Sequence, residues 1–133
     1  MKNKIPLFLL LAGASDALTG LLLVLAPAFT LDLMLVKSIP RELVYCQFIG
    51  AFVFSIGTSY LRPFLHPAGP ERASAIRHVL AATAWVRVCI ATFSALAIAT
   101  GRLHASWISV PLFDATLAVI QLLILRHLRS ANA

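Results

Sequence analysis

Residues 5–25, IPLFLLLAGASDALTGLLLVL, form an apolar run whose only charge is Asp16. About 20 such residues, wound as a helix, cross the roughly 30 Å hydrocarbon core of a bilayer. Three more runs of this kind follow, at about residues 43–61, 79–100 and 107–125. Pro27 ends the first run, Arg62-Pro63 the second, Gly101-Arg102 the third and Arg126-His127 the fourth. Inside hydrocarbon every backbone N–H and C=O must be satisfied by the protein itself, which leaves helices or closed barrels. Barrel strands are half as long and alternate in polarity, and nothing here alternates. The expectation is therefore an all-α chain: one integral membrane domain over the 133 residues, an up-down four-helix bundle with short connections.

The composition agrees. Sixty per cent of the residues are hydrophobic and 12% charged, against about half and about a quarter in soluble domains. The formal net charge of +6 raises the question of nucleic acid. The basic residues sit at the ends of the apolar runs rather than on one patch, which excludes that partner and points to the lipid bilayer. One set of ends carries seven: Lys2, Lys4, Arg62, Arg72, Arg77, Arg126 and Arg129. The other carries three: Lys37, Arg41 and Arg102. This bias predicts a multi-pass protein of the inner membrane with both termini cytoplasmic. Lys2, Lys4 and the Ala12-Gly13-Ala14 stretch resemble parts of a signal peptide, but the apolar run continues to Leu25, so a retained first helix is expected.

Two connections have character. Residues 28–36, AFTLDLMLV, are apolar but too short to span, and fit a short helix at the outer interface or over the bundle. Residues 62–72, RPFLHPAGPER, read as a stiff cytoplasmic turn with Pro70 placed to begin the third helix. Cys46 and Cys89 stand apart with no metal or redox spacing and read as two small buried thiols.

Three charges fall inside the spans: Asp16 in the first, Arg87 in the third and Asp114 in the fourth. Counted from the cytoplasmic ends at about 1.5 Å per residue, all three lie at about 12–17 Å depth, near the midplane. A lone charge at that depth is costly and should face inward toward a partner. An arginine between two aspartates is the natural solution, because its planar fork of donors can bridge two carboxylates. This trio leaves one negative charge in excess, which a proton, a cation or a polar ligand would balance.

Helical spacing supplies an inward stripe for each span. Gly13 and Gly20 flank Asp16, Gly50 and Gly57 mark the second span, and Ala91, Ala95 and Ala99 form a small-residue seam on the third. Tyr45, Gln47, Phe54 and Gln121 are the candidate lining of a midplane pocket. The four histidines lie at span ends, at depths that do not match across helices, so neither haem ligation nor a metal site is expected. No serine has a histidine at its level, and no catalytic set is expected.

The four-span layout, the Leu25-Ala26-Pro27 close of the first span, the FIGAFVFSIGTSYL stretch with Gly50 and Gly57, the arginine in the third span and the acid in the fourth together resemble the DoxX-like group of small bacterial four-helix membrane proteins. That resemblance implies an up-down bundle in the inner membrane and, in some members, an accessory role in oxidation systems. It implies no catalytic residue, and the paired cysteines of quinone-linked thiol oxidoreductases are missing from this sequence.

Three functions are compatible with these residues. The leading one is a binding module: a lipophilic small molecule such as a quinone, or a membrane protein partner, held at the buried charges. The second is an oligomeric proton- or ion-coupled transporter or channel using Asp16, Arg87 and Asp114. The third is an intramembrane enzyme, supported only by the capacity of buried carboxylates for acid–base work. The residues identify no cofactor.

Overall fold

The structure, a computed structural model, describes residues 4–130, so Lys2 of the charge count lies outside the described residues. All regular structure among them is helical. Helix α1 is Lys4–Leu25, α2 Pro27–Leu33, α3 Leu43–Ser59, α4 Pro70–Ala99 and α5 Ser109–Ser130, with short 3₁₀ turns at Arg62–Leu65 and Ala105–Ile108. Three helical stretches, Lys4–Leu25, Pro70–Ala99 and Ala105–Ser130, are long and apolar enough to cross a membrane. The fourth expected span is α3, whose 17 residues make a helix of about 26 Å at about 1.5 Å per residue.

Each boundary has a local cause. Pro27 lacks the N–H that would continue α1, and α2 begins there after the single residue Ala26. Pro70 opens α4, as its fixed φ allows, so that helix starts nine residues before the expected span at residue 79. The chain ahead of it is braced: the Arg72 side chain donates to the His66 carbonyl from Nε at 2.9 Å and Nη2 at 2.6 Å. Gly101, with φ +70°, closes α4. Its N–H donates to the Ile98 carbonyl and that of Arg102 to the Ala97 carbonyl, the paired bonds of a left-handed helix stop.

The chain divides into two compact units, residues 4–30 with 40–79 and residues 31–39 with 80–130. In the first, α1 and α3 pack at their glycines. A methyl built on Gly20 would lie 2.6 Å from the Gly50 carbonyl oxygen, and one on Gly50 2.8 Å from that of Gly20. Gly13 and Gly57 repeat the reciprocal arrangement one level on, at 2.9 and 2.8 Å. Rising numbers on α1 meet falling numbers on α3, so the helices are antiparallel. The expected glycine seams thus face each other, seven residues apart on both helices, and the backbones meet where a side chain would hold them apart. The Gln47 amide reaches across at 2.9 Å to the Val24 carbonyl, near the end of α1 where intrahelical donors run out.

In the second unit, the connector from Leu31 to Ile39 is fastened to the turn before α5. The Lys37 N–H donates to Ser106 Oγ at 3.1 Å, and Ser109 Oγ donates to the Met34 carbonyl at 2.9 Å. Hydroxyls on the helices mostly bond their own backbone: Thr58 to the Phe54 carbonyl, Thr100 to that of Leu96, Thr116 to that of Leu112. That is how a hydroxyl is carried on an apolar helix without an orphaned donor.

A buried ion pair as candidate functional site

Helix α4 buries Leu80, Thr83, Ala84, Arg87, Ser94 and Ala97. Apart from the adjacent Thr83 and Ala84, these positions advance by three residues or by two turns, so they form one stripe. Helix α5 buries Pro111, Ala118, Gln121 and Leu125, and Asp114 belongs to the same line. The two stripes meet at polar side chains. Arg87 Nη1 donates to Asp114 Oδ1 at 2.5 Å, with the side chains 4% and 14% exposed. Gln121 Nε2 donates to Thr83 Oγ1 at 3.2 Å. Thr83 is one turn before Arg87 and Gln121 two turns after Asp114, so α4 and α5 run antiparallel. The Phe113 ring lies 5.9 Å from the guanidinium carbon of Arg87, within cation–π range.

Arg87 is well chosen for this position. Its charge does not titrate away, its planar fork matches a carboxylate, and guanidinium is less strongly hydrated than ammonium. Lysine would bring a more tightly hydrated point charge and three N–H donors in place of five. The short charge-assisted bond is the strong kind. Taken together, a cation, an acid, an amide and a hydroxyl form a polar line through otherwise apolar helices.

Of the sequence-derived trio, Arg87 and Asp114 are therefore in direct contact. Asp16 belongs to the first unit, on the α1 stripe with Gly13 and Gly20, and is buried at 5% exposure. Of the expected pocket lining, Gln121 is fully buried and bonded to Thr83. Tyr45, Gln47 and Phe54 do not converge. Tyr45 is exposed on α3, Gln47 serves Val24, and the Phe54 backbone lies against Gly20. Tyr45 and Phe54 are nine residues apart, which at about 100° per residue puts them on opposite sides of one helix.

Two further expectations need correction. Ala91 is half-buried, but Ala95 and Ala99 are exposed. A strict four-residue step drifts about 40° per repeat from a helix of 3.6 residues per turn, so that seam leaves the buried stripe, which runs through Ser94 and Ala97. Cys46 is buried as expected, whereas Cys89 is exposed on α4. Thr83, as the acceptor of Gln121, was not singled out by the sequence. Its signal was present in the four-residue step to Arg87, matched against the seven-residue step from Asp114 to Gln121. Comparison with family models, curated proteins and solved structures found no match to the chain.

Proposed function

We propose that this chain is an inner-membrane protein of four spans, with both termini cytoplasmic, that binds a lipophilic small molecule or a membrane partner at the Arg87–Asp114 centre. The observation that carries the reading is a charged pair, buried on two helices of membrane-spanning length, with an amide and a hydroxyl bonded to each other close by. Charges at such depth are expensive and mark sites by default. A ligand with an apolar body and a hydrogen-bonding head, of which a quinone is one example, suits a polar line set in an apolar wall. An accessory role, as the resemblance to the DoxX-like group implies, uses the same centre against a partner helix.

Native mass spectrometry of the protein extracted in mild detergent tests this, with the balanced variant Arg87→Met/Asp114→Leu as control. The expected result is a retained mass or co-purified partner on the wild type that the control lacks. Neither on the wild type would overturn the reading. Impermeant thiol labelling of single cysteines at Ala68 and Ala105 tests the orientation; labelling of Ala68→Cys from outside would reverse it.

The second reading, oligomeric proton- or ion-coupled transport, is favoured by the burial of a second acid, Asp16. Flux into proteoliposomes, compared among wild type, Asp16→Asn and Asp114→Asn, decides it: equal flux in all three removes the reading.

A further inference from the structure

The connector between α1 and α3 has two faces of unusual character. Thr30, Leu31 and Val36 are 1–2% exposed, while Phe29, Leu33 and Leu35 are 62–69% exposed. Beside the exposed Asp32 and Lys37, the outward residues thus include the largest apolar side chains of the segment. At the junction, the Ala26 N–H bonds the Leu22 carbonyl and the Thr30 N–H bonds the Ala26 carbonyl. Helical bonding thus persists across Pro27, and no slack chain separates α2 from the end of the α1 run. Exposed leucines reach that end: Leu18, Leu21 and Leu25 lead at steps of three and four residues to Phe29, and Leu33 follows one turn later.

The stop of α2 adds a second, independent observation. The Leu35 N–H bonds the Asp32 carbonyl and the Val36 N–H that of Leu31, both at 2.9 Å. This is the stop that closes α4 at Gly101, but here a leucine holds the left-handed position, with φ +65°. Glycine would adopt that backbone without steric penalty. The chain instead keeps a large apolar side chain there and turns it outward.

We propose that α2 lies in the interface of a phospholipid bilayer, with Phe29, Leu33 and Leu35 in the boundary between headgroups and acyl chains. Asp32 and Lys37 are exposed as well; Asp32, one turn on from Phe29, borders the apolar side, where its carboxylate reaches the headgroup layer. The segment is too short to span and lies next to a span end, the setting of an interfacial amphipathic helix. Its inner side is held by the bonds of Lys37 to Ser106 and of Ser109 to Met34. The proposal rests on the membrane reading of α1.

Site-specific quenching in vesicles of equal parts phosphatidylcholine and phosphatidylglycerol tests it. An environment-sensitive fluorophore is placed on single cysteines at Phe29, Leu33 or Leu35 of the full chain, in a Cys46→Ala/Cys89→Ala background. Leu11→Cys on α1 and His66→Cys on the turn before α4 are the lipid and water controls. The expected result is several-fold stronger quenching at 29, 33 and 35 by lipids spin-labelled near the headgroup than by aqueous iodide. Leu11 should respond to mid-chain labels and His66 to iodide. Iodide quenching at the three sites to the level of His66 would overturn the proposal, as would shielding from both quenchers, which would mean that protein covers the face. Failure of Leu11 to respond to any lipid label would instead overturn the membrane reading. Phe29→Trp, with Trp85→Phe and Trp107→Phe, repeats the measurement without a bulky label.

Discussion

Removing Asp114 should be the most damaging single change in the second unit, and its cost can be worked from the geometry. Arg87 and Asp114 are bonded at 2.5 Å and nearly excluded from solvent. With about 4 Å between charge centres and an effective dielectric near 20, their attraction is about 4 kcal/mol. That matches the roughly 3–5 kcal/mol typical of stranding one member of a buried pair. The two single variants should differ. Arg87→Met leaves a carboxylate that can take up a proton and become neutral, which softens the loss. Asp114→Leu takes a short charge-assisted bond from a guanidinium that cannot give up its charge. The double variant Arg87→Met/Asp114→Leu removes both charges and should lie within about 1 kcal/mol of the wild type, because apolar replacement of a buried pair is often neutral. Reversible unfolding of the reconstituted protein, followed by Trp85 and Trp107 fluorescence, ranks the three. The expected order of stability is double variant, then Arg87→Met, then Asp114→Leu. An Asp114→Leu protein within 1 kcal/mol of wild type, or a double variant as unstable as the two singles combined, would refute the pairing argument.

Other outcomes follow from the same structure. Gly20→Ala should destabilise by about 1–3 kcal/mol, because its methyl would meet backbone atoms of Gly50 and Phe54, which cannot swing aside; thermal melts in detergent check this. Gly101→Ala should cost about 1–2 kcal/mol through backbone strain alone, since no atom lies within 4 Å of the added methyl; equilibrium unfolding measures it.

Much of the helical layout was legible because each span is long and each stop has a residue-level cause. Pro27, Pro70 and Gly101 set boundaries that any reading of backbone chemistry would find. The ends of α4 and α5 were harder. Both helices continue through charged segments, 70–78 and 126–130, where hydropathy falls but helical bonding does not. The ion pair was legible from charge scarcity and depth. The pocket lining was not, because a list of polar and aromatic residues on one span carries no angle until the spacing is worked out. Leu35 could not be foreseen at all: a left-handed leucine has no sequence signature.

The two units hold their helices by different physics, and the difference bears on function. In lipid no hydrophobic force presses helices together, so close van der Waals contact and hydrogen bonds must do it. The first unit uses the former: Gly13, Gly20, Gly50 and Gly57 bring backbones together without any charge. The second unit bridges α4 and α5 with Arg87–Asp114 and Gln121–Thr83. Desolvating an arginine and an aspartate costs several kcal/mol per ion, and their attraction returns that only when geometry is very good. A chain that already closes one helix pair with glycines had a cheaper way to close the other. That contrast supports the proposal that the charges serve a bound group rather than the packing. The balanced Arg87→Met/Asp114→Leu variant separates the two roles, since a packing device would lose nothing but its charges, whereas a binding site would lose its ligand while the fold persisted.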